Sequence, residues 1–192
     1  MKRISFIILL IFVPLVILAQ GHLIFKGIPI NGTVNEVVKK LKSKGFIHHQ
    51  GYAPSPNIEL MSGMFTNEDV GIAVVGDNSA NNVWKIVVQY NSSDIWSLLE
   101  EQYYRLKHLY NSKYGEPTLS IEKIEDKTAK EKHTELIALT NRKVTYKTFY
   151  ELDNGIITIE IIPNLNYRGQ LMIHYEDNIN SEKKGLNDIN DI

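Results

Sequence analysis

From residue 58 to residue 176 the chain is dominated by short runs rich in β-branched and aromatic residues. They are IELMSGMF (58–65), VGIAVVG (70–76), VWKIVVQY (83–90), LSIEKIE (119–125), HTELIAL (133–139), KVTYKTFYEL (143–152), GIITIEII (155–162) and GQLMIHYE (169–176). Turn-rich stretches such as TNED (66–69), GDNSANN (76–82) and DNG (153–155) separate several of them. Runs of this length and composition predict antiparallel strands, and the DNG predicts a hairpin. In the third run Trp84, Ile86, Val88 and Tyr90 fall on one side, with Lys85, Val87 and Gln89 on the other. A sheet with one packed face and one mostly wet face is the expected result.

Two stretches break the strand pattern with helical spacing. In GIPINGTVNEVVKKLKSKGF (27–46), Thr33 and Glu36 form a T-x-x-E capping box, which satisfies two orphan backbone N–H groups. Val34, Val37, Val38 and Leu41 follow at i, i+3, i+4 and i+7, one buried helix face. Lys39, Lys40, Lys42 and Lys44 fill the polar side or suit the C-terminus, Gly45 supplies a left-handed stop, and Phe46 re-enters the core. The second stretch, NSSDIWSLLEEQYYRLKHLYNSKYGEP, offers Ser92 or Ser93 as N-cap and Asp94 in the first turn. Its stripe is Ile95, Leu99, Tyr103, Leu106 and Tyr110, widened by Leu98 and Leu109; Gly115 and Pro117 end it. The fold class is therefore α+β, with helices packed on one face of an antiparallel sheet. Each helix precedes a run of strands and ends in SKG or SKYG, so residues 27–90 and 92–176 are a candidate duplication.

The leader MKRISFIILLIFVPLVILAQ places two basic residues before an apolar run from Ile4 to Ala19 that contains no charge. That run is shorter than the roughly 20 residues a spanning helix needs, and Pro14 interrupts it. Residues 1–19 read as a signal peptide cleaved after Ala19; the alternative is an uncleaved anchor, the one route by which a membrane enters. The expected location is periplasmic or secreted. The chain contains no cysteine, which closes both the lipoprotein route and disulfides. Residues 20–176 must then hold together as one domain by their core alone, and their length suffices for that. The stretch 177–192 is polar without a sustained period and reads as a mobile tail. Without Lys2 and Arg3 the chain has 19 basic and 22 acidic residues, a charge of −3 that argues against nucleic acid.

The segment GIPINGTVNEVVKKLKSKGF resembles the entry of small exported bacterial α/β domains of the SmpA/OmlA assembly-lipoprotein and β-lactamase-inhibitor-protein type. In those, G-x-x-x-G-x-[ST] leads into a helix that ends before a sheet. YYRLKHLYNSKYGEPT, followed by a late LMIHYED strand, resembles uncharacterised exported proteins of gut-type Gram-negative bacteria. The resemblance implies a fold and a location. It carries no functional residue across, and the lipobox cysteine and the disulfides of those families are absent here.

Chemistry-bearing patterns are sparse. Of His22, His48, His49, His108, His133 and His174 only FIHHQ is clustered, and on a strand His48 and His49 point to opposite faces, which does not suit one metal. The G-x-S-x-G motif, a glycine-rich phosphate loop and an H-E-x-x-H helix do not occur, and Ser43-Lys44 and Ser112-Lys113 are adjacent pairs rather than S-x-x-K. The adjacent acids Glu68-Asp69, Glu100-Glu101, Glu125-Asp126 and Glu176-Asp177 read as solvation rather than as carboxylates facing across a cleft. No catalytic residue, metal ligand or cofactor is assigned. Aromatic residues are the better lead. Tyr52 sits in the proline-bearing GYAPSPN loop, and Tyr104 lies off the apolar stripe of its helix. Amphipathic aromatics on rigid supports favour protein recognition, so Tyr52 and Tyr104 are the candidate binding residues. The expected function is an exported, non-catalytic binding protein of the cell envelope, with a protein or envelope component as partner. The alternative is an envelope hydrolase or transferase whose acids meet only in the fold.

Overall fold

The structure, a computed structural model, describes residues 21–52, 54–78, 82–124 and 134–190. The leader, His133 and the Glu125-Asp126 pair lie outside the described residues. A two-stranded hairpin, β1 (Ile24–Phe25) and β2 (Ile28–Pro29), leads into helix α1 (Val34–Ser43). Strands β3 (Ile47–His48), β4 (Ile58–Phe65), β5 (Glu68–Gly76) and β6 (Val83–Gln89) follow. Helix α2 (Trp96–Tyr114) then precedes β7 (Leu119–Ile124), helix α3 (Thr134–Thr140), β8 (Val144–Leu152), β9 (Gly155–Asn164) and β10 (Arg168–Asp177). Helix α4 (Asn178–Asn190) closes the described chain.

The eight strands β3 to β10 form one antiparallel sheet in the order β3-β4-β5-β6-β10-β9-β8-β7. Each four-strand run lies in sequence order, and the two runs meet at their last strands, β6 and β10. One core lies against one sheet face. It joins Val37 and Leu41 of α1, Leu99 and Leu106 of α2 and Leu136 and Leu139 of α3 to Ile72, Ile86, Val88, Ile157, Ile159 and Ile173 of the strands. The architecture is α+β, an eight-stranded antiparallel sheet with α1, α2 and α3 packed into the core on one face.

Helix α1 matches its sequence signals. Thr33 accepts from the Glu36 N–H at 3.2 Å and Glu36 accepts from the Thr33 N–H at 2.9 Å, the reciprocal cap that T-x-x-E predicts. Val34, Val37, Val38 and Leu41 are buried. On α2 the central stripe Leu99, Tyr103, Leu106 and Tyr110 is buried, but Ile95, Leu98 and Leu109 are exposed. Neither Ser92 nor Ser93 caps this helix, which starts with Ile95 in the cap position. Ser93 instead pairs its backbone with Gly169 at 2.9 Å and accepts the Ile95 N–H on its hydroxyl. Gly169 lets α2 and α3 pack closely there: a methyl group on it would press on the Leu99 side chain and crowd Leu136, so both would have to shift.

Two expectations are corrected. The stretch TELIALT (134–140), most of it expected as a strand, is helix α3. Leu136 and Leu139 are buried while Ile137 between them is exposed, the spacing of a helix, and leucine and alanine favour that state. The polar stretch expected as a mobile tail contains helix α4. The buried Asp177 carboxylate accepts the Asn180 N–H at 2.9 Å, and the Asn180 side chain donates to the carbonyls of Ile30 and Val83. Polar contacts of this kind leave no hydrophobic period to read. Finally, Trp84 does not share the packed face with Ile86. Lys85 pairs with Val75 but Val83 pairs with Gly76, so Trp84 is an extra bulged residue and Val83 enters the core in its place.

Candidate functional site

Alternation along the strands sends every second side chain to the sheet face that α1, α2 and α3 leave uncovered. The pairing aligns these residues in rows. One row runs Leu60, Ala73, Val87, His174, Thr158, Phe149 across β4, β5, β6, β10, β9 and β8. The row beside it runs Ser62, Gly71, Gln89, Met172, Glu160, Lys147, and the row on the other side runs Ile58, Val75, Lys85, Glu176, Ile156. Ala73, Val87 and Met172 are buried here, with Ile58, Leu60, Val75 and Ile162 packed partly around them. Every member of this second cluster is a strand residue.

Charged groups stand beside the apolar cluster. Glu160 lies 2.9 Å from His174 Nε2 through one oxygen and 2.8 Å from Lys147 Nζ through the other. Lys85 Nζ meets Glu176 Oε1 at 2.8 Å. The Glu160–His174 contact is at ion-pair distance without hydrogen-bond alignment, and the His174 ring nitrogens are buried with no directed partner. The imidazole, and then the Lys147 ammonium, hold the Glu160 carboxyl at about 2 despite partial burial, which pushes the other way. Glu160 is therefore ionised at neutral pH and is a weak base. No group of three or more His, Asp or Glu side chains converges as a metal site among the described residues.

The candidate tyrosines are not brought together. Tyr52 is 78% exposed, in the connection after β3 at one edge of the sheet. Tyr104 donates at 3.2 Å to Glu122 of β7, at the opposite edge, and its ring meets Tyr103 and Tyr146 edge-on. Tyr104 is thus tied into a network in which Lys107 pairs with Glu122 at 2.6 Å and Tyr146 donates to Glu100 at 2.6 Å. The histidines of FIHHQ do diverge: His48 bonds Glu59 and His49 bonds Ser62, each at 2.8 Å.

The residues that sequence reasoning missed are Glu160, His174 and Met172. Their signal lies in the minority positions of GIITIEII and GQLMIHYE, where a charge or an imidazole interrupts an apolar run. Which strands are neighbours decides that they meet, and no local pattern encodes that. Among the described residues no helix is long and apolar enough to cross a membrane. Comparison with protein-family models, curated proteins and solved structures gives no match to this chain.

Proposed function

We propose that this protein works by binding another protein on the uncovered sheet face, and that it does so outside the cytoplasm, in the periplasm or after secretion. The observation that carries the reading is the second cluster: apolar strand side chains gathered on the face opposite α1, α2 and α3, with charged pairs of both signs beside them. An apolar centre depleted of unpaired charge, inside a polar rim, is the anatomy of protein interfaces. The seven strands β4 to β10, about 4.8 Å apart with about six residues of shared length, present roughly 700 Å². Standard interfaces take about 800 Å² per partner. The leader supports the location.

The strand order also supports a finer proposal about origin. Two units, each a helix followed by four sheet strands, joined at their last strands, produce the order β3-β4-β5-β6-β10-β9-β8-β7, with α3 as an insertion in the second unit. The hydrolase or transferase reading would need further groups to converge on the Glu160–His174 pair, and among the described residues only Lys147 joins it there.

The test is retention of an envelope protein by the immobilised full chain. Ala73→Arg and Met172→Glu should each lower retention by at least about tenfold, the loss of about 1.4 kcal/mol or more. Tyr52→Ala and Tyr104→Ala should leave it unchanged. Equal retention by the two charge variants and the parent refutes the face as the binding surface.

A further inference from the structure

A second recess lies on the other side of the sheet. The β1–β2 turn, the β4–β5 turn and the last turns of α2 enclose a crevice of about 240 Å³. Its walls are aromatic: Phe65, Tyr110, Tyr114 and Tyr175. Lys26 lies over the Phe65 ring at 5.9 Å and Lys113 over the Tyr114 ring at 4.7 Å, and no acidic side chain lines the crevice among the described residues. Both turns hold left-handed residues, Lys26 and Gly27 in one, Thr66 and Asn67 in the other. A β-branched residue rarely tolerates that backbone. Thr66 is held in it by its hydroxyl, which donates to the Phe65 carbonyl at 2.8 Å and meets the Tyr90 hydroxyl at 2.7 Å. The two rims are thereby fixed in position.

The crevice also contains an unspent donor. Tyr110 and Tyr175 are each at least nine-tenths buried, and their hydroxyls hydrogen-bond to each other. Two phenols carry two protons, and one mutual bond uses one of them. The other proton has no acceptor among the described residues. Burial raises both phenols well above their ordinary range, so both protons are present at neutral pH.

We propose that this crevice binds a small organic anion: one carboxylate on a flat apolar ring, with the ring among Phe65, Tyr110 and Tyr114 and the charge beside Lys26 and Lys113. The volume lies below the roughly 300–1,000 Å³ of drug-sized pockets, which limits the ligand to about one ring. A ligand oxygen would give the spare phenol proton an acceptor, and the cations compensate the anion's lost hydration. The site shares no residue with the uncovered sheet face, so either can fail without the other.

Amide NMR titration of the full chain with benzoate, and with neutral benzamide as the matched control, tests the site. Benzoate should shift Gly27, Thr66 and the residues around Tyr110 saturably below about 10 mM, and benzamide should bind at least about tenfold more weakly. The exposed change Leu109→Glu, at the rim, should abolish benzoate binding and leave the fold intact. The pair Lys26→Gln and Lys113→Gln should bring benzoate down to the level of benzamide. No saturable shift by benzoate, equal binding of the two compounds, or benzoate affinity unaltered by the lysine changes overturns the proposal.

Discussion

The two faces of one sheet differ in what their side chains are for. On the helix side, the strand residues and three helices share one continuous core, and Ile86, Val88, Ile157, Ile159 and Ile173 are all sealed from water. On the other side the buried set shrinks to Ala73, Val87 and Met172, and the neighbouring positions carry Lys85, Glu160, His174 and Glu176. The same alternation builds both faces, so the contrast is written in which residues occupy alternate positions. It teaches that the first face holds the fold, while the second, with its smaller buried set, is the one the proposed binding role would use.

The largest break in this comparison comes from the covered face. Leu106→Ala removes a fully buried side chain at the α2–sheet contact and should cost about 2–5 kcal/mol in denaturant unfolding. Val87→Ala, on the other face, should cost less than about 1.5 kcal/mol, because it removes two carbons rather than three from a site that is not fully sealed. Equal losses would mean that the faces are energetically alike.

Next in size is Asp177, which is buried on the covered side and joins three parts of the chain. It accepts the Leu23 N–H at 2.7 Å and the Asn180 N–H at 2.9 Å, and it meets His22 at 3.0 Å. Asp177→Ala leaves those buried donors unpaired and should cost about 3 kcal/mol. Exchange of the Leu23 and Asn180 amides should quicken more than that of the β4 and β5 amides. Uniform quickening would show that the carboxylate is not a local tie.

Glu160 gives the uncovered face its own pH signature. Its folded pKa of about 2 lies below the ordinary 4.5, so its contribution is complete above about 4.5 and is lost as pH falls toward 2. The upper bound on that loss is about 3 kcal/mol. Glu160→Gln should flatten the stability profile across this window, and an unchanged profile would remove the Lys147–Glu160–His174 cluster from the account.

The smallest expected effect on stability is Gln89→Arg. Gln89 is half-buried beside the second cluster, and the change should move stability by about 1 kcal/mol or less while lowering partner retention at least about tenfold. Thermal unfolding beside the retention assay separates the two readouts.

Much of the fold is legible in the sequence because local signals and burial agree there. The capping box and the 34/37/38/41 stripe place α1, and seven of the eight apolar runs are sheet strands. What misleads is local ambiguity. Leu136 and Leu139 fit a strand run as readily as a helix until their neighbours are known, and one bulge at Trp84 reverses the side on which two residues point. The start of α4 rests on Asp177 and Asn180, polar residues with no period. The candidate site was the least legible part. Glu160 and His174 lie on adjacent strands and Lys147 on the next, so their meeting depends on strand order. Tyr52 and Tyr104, chosen for their chemistry, stand at opposite edges of the sheet.

The most direct measurement is site-specific photocrosslinking in the producing cell. A crosslinking side chain is placed in turn at Gln89, on the uncovered face, and at Glu101, on the solvent side of α2. The account predicts a discrete protein adduct from position 89 and none from position 101. An adduct from 101 with none from 89 would contradict it, because the partner would then be sitting on the helices.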